Sequence, residues 1–199
     1  MTKLGALKSH LKRGQVYRRG DLAKLSRSVD RHVQELITEG TLKKVAPGTY
    51  YYPKKTAFGD APADEKTLVR QFLKDDRFLL TSPNVYNTLG VGTTQLYNKR
   101  VVYNHKRHGE FTLGNRRFDF KVKPHFPKKL TREFLVVDLV NNLDSLAEES
   151  ASVFARLKEK VKGMDARKLR RHVTDYGNLK AKKLLLPLLE ETEQSAYAG

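Results

Sequence analysis

The sequence predicts an α+β fold in two domains, and three observations predict it. Over residues 26–53 an amphipathic helical pattern stops at Glu39-Gly40 and gives way to a basic strand, a Pro47-Gly48 turn and a Tyr-rich strand. Further on, Gly114-Asn115 separates two strand-like runs, a two-residue hairpin signal because such turns need positive φ. From about Thr131 the pattern is helical, so a small sheet in a mixed α/β region leads into a helical C-terminus.

Each element has a local reason. Leu4, Leu7 and Leu11 mark one face of an opening helix, and Gln15-Val16-Tyr17 reads as a short extended link. A second, brief helix starts at Asp21-Leu22-Ala23, with Gly20 or Asp21 at its cap, and ends near Leu25. Ser26 or Ser28 is expected to cap the third helix by accepting the free N–H groups of its first turn. In that helix Val29, Val33, Leu36 and Ile37 form one apolar stripe, and Arg27, Arg31 and Gln34 lie opposite. Helix, helix, turn, helix and wing is the order of a winged helix-turn-helix, placed at residues 1–55.

Residues 56–63 (TAFGDAPA) read as a linker, because they are small, carry Gly and Pro, and lack periodicity. The second domain, 64–199, opens with a helix over 64–74 that turns Leu68, Val69, Phe72 and Leu73 inward. Phe78-Leu79-Leu80 is a short buried strand, and Ser82-Pro83 starts a helix that ends at Gly90. Strands are expected over 95–103, 111–113 and 116–123, the last with Phe118, Phe120 and Val122 on one apolar face. Phe134, Leu135, Val136, Val137, Leu139, Val140 and Leu143 form a wide apolar surface, broken by Asp138 and Asn141-Asn142. Helices over 146–162, 165–176 and 178–191 follow, divided by Gly163 and Gly177 just past the helix ends. Pro187 is expected to kink or split the last one.

Charge narrows the function classes. The chain has 199 residues and a formal charge of +17, which draws it to polyanions through release of condensed counterions. The charge is densest in residues 1–55, which hold 13 Lys and Arg against 4 Asp and Glu. The absence of cysteine excludes disulfides, thiol catalysis and zinc fingers, and fits a reducing cytoplasm. No apolar run approaches the roughly 20 residues that a bilayer needs, and MTKLGALKSHLKR lacks the apolar core of a signal peptide. A cytoplasmic protein is expected, with no membrane partner.

The expected site is a DNA-reading surface. The third helix would enter the major groove by its first turns, with Arg27, Ser28 and Arg31 nearest the base edges and Gln34 one turn deeper. An arginine can bond guanine O6 and N7 together, which discriminates by about 1–3 kcal/mol. Ser26 and Ser28 sit at the helix start, where a hydroxyl caps the helix or bonds a phosphate. Arg18 and Arg19 precede the second helix, whose start lies over the DNA backbone in such docking. Lys43 and Lys44 occupy the first wing strand, and alternation lets one of them face DNA.

Enzymatic constellations are weaker. Glu110, Asp119 and Lys121 give E-x8-D-x-K, the elements of a metal-dependent nuclease, but a half-exposed strand shows the same alternation. His105 and His108 flank Lys106-Arg107 without an obvious third ligand, so no metal site is expected. Gly90-Val91-Gly92-Thr93-Thr94 lacks the Gly-Lys-Ser/Thr ending of a phosphate loop and follows a helix instead of preceding one. No enzyme activity and no cofactor is therefore expected. Arg167, Lys168, Arg170, Arg171, Lys180, Lys182 and Lys183 precede a Leu-rich run, which reads as a core helix with a solvated basic face.

The order of these motifs resembles the AbiEi-like antitoxin family of abortive-infection type IV toxin–antitoxin systems. The segment QVYRRGDLAKLSRSVDRHVQELITEGTLKKVAPGTYYYPK is similar to that family's winged helix-turn-helix, with Gly48-Thr49-Tyr50 in the wing. Asn87-Thr88-Leu89-Gly90-Val91-Gly92-Thr93-Thr94-Gln95 resembles its N-x-L-G-L-x-T-Q segment, with Gly92 interrupting the Thr/Ser run. The Gly-Asn hairpin and Tyr176-Gly177-Asn178 before a basic helix follow in the same order. The resemblance implies a transcriptional autorepressor that binds inverted repeats in double-stranded DNA at its own promoter. It further implies an antitoxin that opposes a nucleotidyltransferase-like toxin, with which it need not form a stable complex. Rival readings keep a winged-helix regulator without a toxin, a metal-dependent nuclease, or an RNA-binding protein.

Overall fold

In the computed structural model, which describes residues 2–197, the chain is a mixed α+β protein. Its first elements are α1 (Lys3–Ser9), β1 (Val16–Arg18), α2 (Arg19–Ala23), α3 (Val29–Thr38), β2 (Lys43–Ala46), β3 (Thr49–Tyr51), β4 (Lys55–Thr56) and β5 (Gly59–Asp60). There follow α4 (Glu65–Leu73), β6 (Phe78–Thr81), a 3₁₀ helix (Pro83–Leu89), β7 (Arg100–Asn104), β8 (Gly109–Leu113) and β9 (Arg116–Val122). The rest is helical: α5 (Arg132–Asn142), a short 3₁₀ turn (Leu143–Ser145), α6 (Ser150–Lys162), α7 (Ala166–Tyr176) and α8 (Leu179–Tyr197). Contacts divide the chain into two compact units, Met1–Phe78 with Gly109–Phe118, and Leu79–His108 with Asp119–Gly199.

In the first unit β1, β3 and β2 form an antiparallel sheet in the order β1-β3-β2, so the chain runs α1-β1-α2-α3 before closing the hairpin. Val16 lies opposite Tyr51, and Lys44 opposite Tyr50. The hairpin turns at Gly48, whose φ of +64° would strain any residue with a side chain. Leu7, Leu11, Leu22, Val29, Val33, Leu36 and Leu42 are buried together, with Tyr50 and Tyr52 packed against them. Of these, Leu7, Leu11, Val29, Val33 and Leu36 are the ones that helical spacing selects. Removing them from water at about 25 cal/mol per Å² holds the three helices on the sheet.

Some local expectations give way to tertiary contacts. The Gln15-Val16-Tyr17 link belongs to a strand, because Val16–Arg18 pairs with β3. The second helix begins at Arg19, with Arg18 at its cap in place of Gly20 or Asp21. Ser28 stands at the cap of α3 but makes no side-chain cap hydrogen bond, and the Ser26 hydroxyl faces His32 instead. Across the boundary expected between the first domain and the linker, β4 and β5 pair as a small antiparallel hairpin. Asp64 caps α4 by accepting from the Thr67 N–H at 2.8 Å, and α4 lies in the first unit.

In the second unit the Asp119–Val122 half of β9 neighbours β7, which neighbours β6. Residues 95–99, expected as strand, are irregular up to Arg100. Phe118 and Phe120 are fully buried as alternation requires, whereas Val122 is 49% exposed because it ends the strand. Residues 146–149 lie outside α6, which starts at Ser150 with Glu149 accepting from the Ala151 and Ser152 N–H groups. Gly163 and Gly177 both have negative φ, so neither is a left-handed helix stop. A Cβ on Gly177 would collide with the Val173 carbonyl oxygen, so close approach is what selects glycine there. Helix α8 continues through Pro187 without splitting.

The second unit's core gathers around α5. Phe134 through Val140 are buried without interruption, and most of them pack with Leu157, Val161, Leu169, Val173, Leu185 and Leu189 from α6, α7 and α8. Asp138 is among the seven, 1% exposed.

Candidate nucleic-acid interface

Helix α3 is two-sided. Val29, Val33 and Leu36 are buried, while Arg27, Ser28, Arg31 and Gln34 are exposed. Residues three and four apart share a face in a helix, so the same spacing that hides the valines presents Arg31 and Gln34, whereas Arg27, expected on that face, lies in the turn before the helix. Its start follows a turn with Lys24 and Leu25 exposed, and Gly40, at φ +73°, closes it.

One member of the inner face escapes a reading by apolar residues alone. His32 is 2% exposed, with Ser26 Oγ 2.7 Å from its Nδ1 and Arg31 Nη2 3.4 Å from its Nε2. A guanidinium only donates, so this geometry fits a His32 that carries its proton on Nδ1 and donates to Ser26. The signal was present: His32 stands three residues after Val29 and four before Leu36, on the buried stripe.

The cations divide by partner. Arg27, Gln34 and Lys44 are exposed. Arg31 Nε lies 3.5 Å from Glu35, one turn on, with the arginine side chain 70% exposed. Such pairs contribute about 0–1 kcal/mol, so a phosphate or a base edge can displace them. Arg19 is held more firmly. Its Nε and Nη2 both donate to Asp30 at 2.6 Å, a bidentate pair that ties α2 to α3. That hydrogen bond holds the Asp30 carboxyl below its ordinary value. Arg18 pairs with Asp21 at 3.1 Å. Lys43 donates to Asp60 at 2.8 Å, and Lys55 reaches the same carboxylate at 2.6 Å. These hydrogen bonds, Lys43 first, lower the Asp60 pKa. Adjacent strand residues point to opposite faces, so Lys43 turns to Asp60 and Lys44 does not.

The remaining constellations are placed as follows. Asp119 lies 3.1 Å from Lys99 Nζ and 3.8 Å from Lys121 Nζ, within an ion pair set. Among the described residues no three His, Cys, Asp or Glu side chains converge as a metal site. His105 stacks on Phe126 with centroids 4.7 Å apart. Gly90 and Gly92 have positive φ, and a Cβ on Gly92 would collide with the Arg156 guanidinium. Arg167, Lys168 and Arg171 are exposed on α7, opposite buried Leu169 and Val173.

No family model matches the chain, and no curated protein matches it. Among solved structures it is similar to the crystal structure of the RV2827C protein from Mycobacterium tuberculosis, with a TM-score of 0.57 and 16% sequence identity. The match covers 96% of this chain and 75% of that one. At this identity the two proteins share a fold.

Proposed function

We propose that the chain is a DNA-binding transcriptional autorepressor whose residues 1–55 form a winged helix-turn-helix, and that it also acts as the antitoxin of a type IV toxin–antitoxin pair. The order α1-β1-α2-α3-β2-β3, with the sheet in the order β1-β3-β2, supports the winged-helix reading. One observation carries the DNA-binding reading: exposed Arg27, Arg31 and Gln34 back onto buried Val29, Val33 and Leu36. An α-helix fits the major groove, and a helix seated this way can offer its polar face to base edges. In this reading Arg27, Ser28, Arg31 and Gln34 contact bases or phosphates, and Lys44 meets phosphate from the wing. Arg18, Arg19, Ser26 and Lys43 hold their neighbours in place, and the cations among them can release to phosphate.

The antitoxin half rests on the resemblance of the motif order, and its partner would be a nucleotidyltransferase-like toxin. No helix among the described residues is long and apolar enough to cross a membrane.

The test is binding of the full chain to a duplex from its own upstream region and to a random duplex, by fluorescence anisotropy across salt. Arg31→Ala is expected to weaken specific binding by about 1–3 kcal/mol and leave random binding nearly unchanged. Lys44→Ala should weaken both and lower the salt slope by about 1. Equal affinity for the two duplexes in the unaltered protein would overturn the repressor reading. For the antitoxin half, the double variant Arg27→Ala, Arg31→Ala should lose repression and still rescue growth from a co-expressed toxin. Failure of the unaltered chain to rescue would remove that half alone.

A further inference from the structure

The second unit carries a groove that the proposed function leaves idle. It encloses about 460 Å³ and is lined by His105, by His125 and Phe126 from the segment after β9, and by Asp175 and Tyr176 at the end of α7. That volume lies within the roughly 300–1,000 Å³ of small-ligand sites, enough for a nucleobase with its sugar.

The rings of the groove are anchored. Phe126 and Tyr176 both pack against the buried cluster of Leu79, Val101, Tyr103 and Phe134, and Tyr176 meets the Phe134 ring edge-on at 5.4 Å. His105 is exposed and stacks on Phe126 with the two planes 26° apart. This stack uses one face of the imidazole, so the other can take a further flat ring. The turn that carries His105 is fixed by Asn104, 1% exposed, whose Oδ1 accepts the Lys106 and Arg107 N–H groups at 2.8 and 2.7 Å. A platform held in this way loses little freedom when a ligand binds.

Cations without acidic partners follow in the chain. Lys128, Lys129 and Arg132 are exposed, and none of them makes an ion pair among the described residues. At no more than about 3.6 Å per residue, the Lys128 and Lys129 backbones lie within about 11 Å of that of Phe126. Thr131 Oγ1 lies 3.3 Å from His172 Nε2, one turn before Tyr176, so this segment leads from the groove back to α7. The acid of the groove, Asp175, lies 3.8 Å from Arg171, and these two charges cancel. Even with Glu133 set against its neighbour Arg132, the two lysines remain uncompensated.

A ring platform beside free ammonium groups matches an unpaired nucleic-acid strand, whose bases stack while its phosphates meet the lysines. Bases in a duplex already stack on one another and leave such a platform unused. Asp175 favours RNA. A carboxylate only accepts hydrogen bonds, and the ribose 2′-hydroxyl supplies a donor that deoxyribose lacks.

We propose that this groove binds single-stranded RNA, with His105 as the stacking platform, Lys128 and Lys129 as phosphate partners and Asp175 as acceptor for a ribose 2′-hydroxyl. The site uses none of the α3 residues and does not depend on the DNA-binding reading.

The experiment is fluorescence anisotropy of the full chain with labelled oligo(rU) of about ten nucleotides, in the Arg27→Ala, Arg31→Ala background so that α3 contributes little. Oligo(rU) is expected to bind more tightly than oligo(dU) and than an rA·rU duplex of the same length. His105→Ala should weaken binding of oligo(rU) at least about fivefold at an unchanged melting temperature, and His105→Tyr should restore it. Lys128→Gln combined with Lys129→Gln should weaken binding and lower the salt slope by about 1.4, as loss of two single-strand phosphate contacts requires. Asp175→Ala should narrow the preference for oligo(rU) over oligo(dU). A folded His105→Ala that binds undiminished, a duplex bound as tightly as the single strand, or equal affinity for oligo(rU) and oligo(dU) would overturn the proposal. Displacement of the RNA by poly-glutamate at equal charge would also overturn it, and would mark a site for acidic peptides.

Discussion

Helices α3 and α5 are 10 and 11 residues long and both carry valines and leucines, yet they end in opposite environments. Helix α3 hides one face and leaves Arg31 and Gln34 in solvent. Helix α5 is buried from Phe134 to Val140, and its acid goes inside with the rest. The difference teaches where polar residues do their work. On a one-sided helix a polar side chain is available to an outside partner. On a buried helix it must be satisfied within the chain, because an unpaired buried polar group is costly. Asp138 accordingly accepts from two tyrosines, whereas Arg27 and Gln34 stand in solvent.

The largest effect that can break this comparison is expected from Asp138→Ala. It strands the Tyr86 and Tyr103 hydroxyls, at about 1–3 kcal/mol each, and urea unfolding should register the loss. DNA binding by the folded fraction should stay unchanged; a parallel loss of binding would mean that α5 serves the interface as well. Next comes Leu36→Ala, on the inner face of α3 and fully buried. A cavity there should cost about 2–5 kcal/mol. A cost under 1 kcal/mol would show that the inner face does not seat the helix.

Acid titration sharpens the same contrast, because the two helices' aspartates shift in opposite directions. Arg19 holds Asp30 below its ordinary value of 3.8. Its contribution is full above 3.8 and is lost as the pH falls through the folded value. Burial holds Asp138 above the same 3.8, so its contribution is full below 3.8 and is lost as the pH rises through the folded value. The stability gap between the native chain and Asp30→Asn should therefore shrink in acid below 3.8, and the gap to Asp138→Asn should widen as the pH falls toward 3.8. Slopes of one sign for both variants would contradict the assigned environments. The smallest effect is that of Arg27→Ala on folding, within about 0.5 kcal/mol by urea unfolding, as for other exposed positions without partners.

Much of the fold was legible in short windows. The valine stripe of α3, its stop at Gly40, the Gly48 turn, the Ser82 cap and the Gly114-Asn115 hairpin all appear where local spacing placed them. The outward arginines were legible for the same reason. What stayed hidden has a partner far along the chain. Asp138 reads as an interruption of an apolar surface until Tyr86, 52 residues earlier, is brought against it. Arg19 and Lys43 read as free cations, although Asp30 and Asp60 hold them. The groove of His105, Phe126 and Tyr176 has no linear signature, because three separate segments supply it.

From its residues alone, then, the chain determined its helical faces, its turns, its α+β class and its density of positive charge, since each follows from backbone geometry or composition within a few residues. Tertiary structure alone decided which charges are spent on internal partners, which acid is buried and which rings meet in a groove. Those outcomes depend on distances between segments that no local periodicity encodes.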